Sequence, residues 1–152
     1  YISSKHFLML LPDDLIIKKN CSKEMISLYN KKKSSIIASK RVNKKEVSRY
    51  GILSIKNKKK NFFRITDVIE KPSIKLAKSN FAVIGRYILP KKIFNELKKI
   101  NKGQGGELHI TDAIRRLIIK NEKFYGNIFN GKYLDCGTLE GYVNSTRAIT
   151  KG

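Results

Sequence analysis

Three short acidic segments carry the residue types that could do chemistry. Asp13 and Asp14 follow Pro12, directly after the apolar run Phe7 to Leu11. Ligands in open α/β sheets bind beyond the carboxyl ends of strands. Two neighbouring carboxylates there suit a hard cation such as Mg2+, which takes oxygen ligands and keeps several waters; a Pro-Asp-Asp turn is the other reading. Glu70-Lys71-Pro72 closes a second apolar stretch. Glu can accept sugar hydroxyls, and Lys can set a point charge on a phosphate. Consecutive strand residues point to opposite faces, so both could face one ligand only if the strand end twists or bulges. An exposed ion pair is the alternative. Asp135 lies between Tyr133-Leu134 and Cys136-Gly137-Thr138, where it could serve a metal or fix the loop. Gly51 after Tyr50 could let a ligand approach the backbone, or simply begin a strand.

Other chemistries find less support. His6 and His109 are not at zinc-ligand spacing from one another or from either cysteine. Neither GxxxxGK[ST] nor GxGxxG is present. Cys21 and Cys136 lie far apart, which argues against a disulfide framework and for a reducing, cytoplasmic compartment. No apolar run approaches the roughly 20 residues of a membrane span. The net charge of +21, from 33 basic and 12 acidic residues, raises nucleic-acid binding as a competing function. The lysines are spread along the chain, and no aromatic-basic stripe that would stack on bases is evident. The charge is therefore read as the Lys-, Ile- and Asn-rich bias of a low-GC genome, and nucleic acid is not the expected partner.

The elements that must position these residues follow from the apolar pattern. Phe7 to Leu11 lacks alternation and predicts a strand buried on both faces. Glu24 to Lys33 predicts a helix and Ser35 to Ser39 a strand, which together make a crossover unit and an α/β class. Tyr50 to Ile55 and Phe62 to Ile69 predict strands joined by a Lys-rich turn. Phe81 to Leu89 predicts another, broken at Gly85-Arg86, with a helix from Pro90 to about Lys99. Lys102 to Gly106 predicts a loop. Thr111 is expected to be the N-cap of the next helix. Phe124 to Phe129 and Lys132 to Leu134 predict a hairpin around Asn130-Gly131, and Thr138 caps a last helix running to about Thr150.

Six segments, in order, resemble one family. They are Leu10-Leu-Pro-Asp-Asp-Leu-Ile16, Tyr50-Gly51, Val68-Ile-Glu-Lys-Pro72, Ala82-Val-Ile-Gly-Arg-Tyr87, Gly106-Glu-Leu-His-Ile-Thr-Asp-Ala113 and Leu134-Asp-Cys-Gly-Thr138. The sequence is similar, from about residue 7 to 149, to bacterial UTP-glucose-1-phosphate uridylyltransferases. Related enzymes using dTTP or ATP share several of the segments. The resemblance implies a Rossmann-like nucleotide-diphospho-sugar transferase fold with a mixed central sheet. It implies Mg2+-dependent transfer of UMP from UTP to glucose 1-phosphate, giving UDP-glucose and pyrophosphate. By position, Asp13 and Asp135 match the metal-holding aspartates, Glu70 the residue that binds glucose hydroxyls, Lys71 the one that reaches the sugar phosphate, and Gly51 the glycine bordering the sugar. Asp14 is expected to support substrate binding from behind. The full-length enzyme is expected to be a homo-oligomer.

The family's N-terminal Gly-rich segment ending in Thr-Arg, the lysine after it and the base-reading residues have no counterpart here. Residues 1–152 are accordingly read as one partial domain lacking its N-terminal third. Alone, it is expected to show little or no activity, to expose a hydrophobic sheet edge and to associate. A related sugar-1-phosphate nucleotidyltransferase with another nucleotide or sugar is the nearest alternative. Convergence of Asp13, Glu70 and Asp135 is what the enzyme reading requires.

Overall fold

The computed structural model describes residues 2–100 and 107–150. Among the described residues, eight strands run in chain order as β1 (His6–Leu10), β2 (Asp14–Ile17), β3 (Ser35–Arg41), β4 (Ile52–Lys56), β5 (Phe62–Ile69), β6 (Phe81–Pro90), β7 (Phe124–Ile128) and β8 (Lys132–Asp135). Four helices join them: α1 (Cys21–Lys32), α2 (Ile93–Leu97), α3 (Ile110–Ile119) and α4 (Leu139–Thr150), with a 3-10 helix at Lys44–Arg49.

Six strands form one mixed sheet in the order β1-β6-β3-β7-β5-β4, and β4 also bridges β6 through Ile52 and Ala82. β1 and β3 both run antiparallel to β6, which lies between them. They are therefore parallel to each other, joined by a connection that contains α1. β3 and β7 are parallel.

Alternating side chains of the central strands feed cores on both faces. Ile37 of β3 with Val83, Tyr87 and Leu89 of β6 packs beside Ile93, Ile114 and Leu117 of α2 and α3. Ile36 and Ala38 with Ile84 and Ile88 pack beside Met25 and Leu28 of α1. The unbroken apolar runs of β3 and β6 thus report burial on both faces.

β1 departs from that expectation. It lies at the sheet edge, with Leu8 41% and Leu10 48% exposed. Other expectations also need correction. α1 starts at Cys21, where the Asn20 side chain accepts from the Lys23 amide at 3.0 Å. Pro90 ends β6, and the helix after it starts only at Ile93. β6 runs on through Gly85-Arg86, where the apolar run is interrupted, and its pairing with β3 shifts register there, from Ile37↔Tyr87 to Ser39↔Val83. His109, not Thr111, occupies the N-cap of α3. β7 and β8 do not pair as a hairpin: β7 is occupied on both sides by β3 and β5, so β8 pairs instead with β2, a strand absent from the sequence reading. The 102–106 loop lies outside the described residues. Thr138 behaves as expected, with Oγ1 accepting from the Gly141 amide at 3.0 Å and its carbonyl from Tyr142 at 2.8 Å.

Candidate active site

The β2–β8 ribbon positions the first part of the site. Asp14 stands opposite Asp135 in its register, and the Cys136 amide donates to the Asp13 carbonyl at 2.8 Å. The chain thereby brings Asp13 and Asp135 against the same glycine. A Cβ on Gly137 would lie 3.0 Å from Asp13 Oδ2 and 3.4 Å from Asp135 Oδ1. The Gly137 amide itself donates to Asp135 Oδ1 at 3.0 Å.

Asp14 is turned to a different task. Its Oδ2 accepts from the Gly85 amide at 2.7 Å, and its Oδ1 accepts from the Tyr133 hydroxyl. Gly85 is required for this approach, because a Cβ there would sit 2.2 Å from Asp14 Oδ2. Burial raises the Asp14 pKa, opposed by the Tyr133 and Gly85 hydrogen bonds and reinforced by Asp13 and Asp135. The Tyr133 phenol is pushed well up, by burial first and then by Asp14 and Asp135.

The second part forms where β5 ends. Lys71 takes a left-handed φ of 42°, a conformation that costs a non-glycine residue roughly 1 kcal/mol or more. Strand alternation therefore stops before Glu70-Lys71. The Thr111 hydroxyl donates to Glu70 Oε2 at 2.7 Å. A Cβ on Gly51 would meet Thr111 Cγ2 at 2.9 Å and Glu70 Oε2 at 3.0 Å. Only glycine leaves the backbone open beside that carboxylate.

Three consecutive residues tie the two parts together. Arg49 Nη2 lies 3.5 Å from Asp135 Oδ2. The Tyr50 carbonyl accepts from the Lys71 amide at 3.0 Å. Gly51 abuts Glu70. Arg49 ends the 3-10 helix, whose start is fixed by a capping box in which Asn43 and Glu46 exchange bonds to backbone amides, and Glu46 Oε1 lies 3.7 Å from Arg49 Nη1. The buried Tyr87 phenol has its pKa raised by burial and then by Asp14, Glu70 and Asp13. It thus feels carboxylates of both parts. A groove of about 460 Å3 runs along Tyr50, Asp135, Thr138 and Asn144.

The Nucleotidyl transferase family profile matches residues 1–152. This chain belongs to the nucleotidyl transferase family. It is 36% identical over 148 residues to the UTP-glucose-1-phosphate uridylyltransferase of Pseudomonas aeruginosa, covering 95% of this chain and 53% of that protein. It is 35% identical to the enzyme of that name from Komagataeibacter xylinus, covering 91% and 49%. Its fold matches a UDP-glucose pyrophosphorylase complexed with UDP-glucose, with a TM-score of 0.92, 39% identity and coverage of 99% and 58%. A UTP-bound enzyme from Acinetobacter baumannii superposes with a TM-score of 0.78 at 30% identity, covering 94% and 50%. The chain spans about half the length of these relatives.

For a member of the nucleotidyl transferase family, the donor set at Asp13 and Asp135 fits a divalent metal. Among the described residues no set of three or more His, Cys, Asp or Glu side chains is gathered for a metal ion. A full cage is not what Mg2+ needs: one or two carboxylates suffice when waters and substrate phosphates complete the shell. No helix among the described residues is long and apolar enough to cross a membrane. The contacts of Arg49, Thr111 and Tyr133 carry no signal in the sequence. Thr111 was visible as a helix-start residue, but its partner 41 positions away carried no local signal.

Proposed function

We propose that this chain supplies the metal and sugar-phosphate part of an enzyme that transfers UMP from UTP to glucose 1-phosphate. The products are UDP-glucose and pyrophosphate, and Mg2+ is the cofactor, held by Asp13 and Asp135. The observation that carries this reading is the Arg49-Tyr50-Gly51 segment, which contacts Asp135, Lys71 and Glu70 in turn. The relatives' names support the substrates.

The sugar phosphate is the nucleophile and is ionised near neutral pH. A strong general base is therefore unnecessary, and alignment with charge neutralisation carries the rate. The bound metal would supply charge neutralisation at the phosphates. Glu70 accepts hexose hydroxyls beside the open backbone of Gly51. Lys71 places a cation for the sugar phosphate. Asp14 holds the strand end that carries Asp13 through its bonds to Gly85 and Tyr133. The enzyme is proposed to work in the cytoplasm as a homo-oligomer.

The test is pyrophosphate release by the polypeptide of the full reading frame, with UTP, dTTP or ATP and glucose 1-phosphate, with and without Mg2+. The expected result is Mg2+-dependent turnover with UTP preferred. Turnover with dTTP or ATP above that with UTP would overturn the nucleotide assignment. No turnover with any of the three would overturn the reaction.

A further inference from the structure

We infer that Thr111 is a positioning residue that fixes the Glu70 carboxylate, and that it thereby sets which hexose 1-phosphate is accepted. The inference rests on the proposed role of Glu70 and concerns how that role is achieved.

Thr111 sits in the first turn of α3 and is buried, 3% exposed. As the second residue of α3 it has no preceding helical turn whose carbonyl its hydroxyl could bond back to. Here its hydroxyl donates across to Glu70 Oε2 at 2.7 Å. The bond is charge-assisted, the stronger class of hydrogen bond. It also holds the carboxylate near the N-terminus of α3, where the helix dipole favours negative charge.

The methyl group of the same side chain closes the other side. Thr111 Cγ2 and Glu70 Oε2 are the two nearest atoms to the space above Gly51, at 2.9 and 3.0 Å from a Cβ placed there. The hydroxyl sets the rotation of the carboxylate, and the methyl walls the pocket beside it. With Thr111 on one lone pair of Oε2, the carboxylate keeps further lone pairs that can accept ligand hydroxyls.

A second contact holds α3 in register over β5. One helical turn on from Thr111, Arg115 Nε donates to Asp67 Oδ1 at 2.9 Å and Nη2 to Oδ2 at 3.4 Å. Asp67 lies three residues before Glu70 on the same strand end. The helix is thus pinned to the strand at two points, and the Thr111 hydroxyl is delivered to one oxygen. A site built to read hydroxyls discriminates through fixed acceptors, since a misplaced hydroxyl leaves a buried acceptor unpaired. A carboxylate free to rotate would adapt to epimers and discriminate less.

The test uses the full-reading-frame protein with UTP and glucose, galactose or mannose 1-phosphate. Thr111→Val keeps the shape and removes the hydroxyl. Thr111→Ser keeps the hydroxyl and removes the methyl. Thr111→Val is expected to raise KM for glucose 1-phosphate roughly tenfold to a hundredfold, with kcat changed less than about threefold. Its preference over the epimers should fall about tenfold. Thr111→Ser should stay within about threefold of the parent in KM, the hydroxyl being retained. Thr111→Ala, which cannot overpack, should repeat the Val result if the Val protein fails to fold. An unchanged KM and selectivity in Thr111→Val, or an equal loss in Thr111→Ser, would overturn the inference. Absence of turnover in the parent protein would instead overturn the proposed reaction.

Discussion

The amide of Lys71 donates to the carbonyl oxygen of Tyr50 at 3.0 Å. Through that bond the end of β5 is laid against the start of β4, and Lys71 is held in its left-handed conformation. The neighbours of Tyr50 reach in two directions, Arg49 to Asp135 and Gly51 to Glu70. One tripeptide thus links carboxylates that lie far apart in sequence.

Asp14 is expected to matter for the fold more than for direct contact with substrate. Asp14→Ala leaves the Gly85 amide and Tyr133 hydroxyl without their partner, at a cost of about 2–4 kcal/mol. Asp14→Asn should cost less, because its carbonyl can serve Gly85 and its amide can donate to the phenol oxygen. Urea denaturation of the three proteins checks the order. The sign with pH is also fixed. The folded-state pKa is raised above 3.8, so this group adds stability as pH falls through the folded pKa toward 3.8. Asp14→Asn removes that increment.

Gly85→Ala should destabilise by about 1–3 kcal/mol through overpacking. Its Cβ would lie 2.2 Å from Asp14 Oδ2 and 2.7 Å from Leu11 Cβ. Thermal unfolding measures this directly. A Tm equal to that of the parent would contradict the close approach.

Glu96 gives the opposite pH dependence. Its buried carboxylate accepts from Lys120 at 2.5 Å and Arg116 at 3.0 Å, and these bonds hold its pKa below 4.5. Stability from this group is complete above pH 4.5 and is lost as pH falls from there through the lowered folded value. Glu96→Gln should be less stable than the parent at pH 6, and the gap should close toward pH 3. Denaturant midpoints at the two pH values check it.

Much of this organisation was legible from local sequence. The apolar runs of β3 and β6, the Lys-rich turn before Phe62 and the Thr138 cap each depend on neighbours in the chain. The misreadings came from distant partners. Asn130-Gly131 is a good hairpin turn, but β7 already has strands on both sides, so no edge was free for Lys132 to pair with. Asp14 to Ile17 carries no strand signal of its own, because its strand partner, β8, lies over a hundred residues on. Thr111 has the chemistry of an N-cap, yet its hydroxyl found a stronger acceptor in Glu70. In the site, residue types marked Asp13, Glu70 and Asp135. Arg49 and Tyr133 act only through contacts that the fold creates.

The 152-residue chain alone is expected to associate through β1, where Leu8 and Leu10 are exposed on an edge strand. Exposed apolar edges pair with other chains. Leu8→Lys with Leu10→Lys should shift sedimentation toward the monomer.

The most direct measurement is a crystal structure of the full-reading-frame protein with Mn2+ and UDP-glucose, read by anomalous scattering. The expected result is an anomalous peak bound by Asp13 and Asp135, with hexose hydroxyls hydrogen-bonded to Glu70 beside Gly51. A metal peak away from those two aspartates, or a hexose that does not touch Glu70, would contradict it.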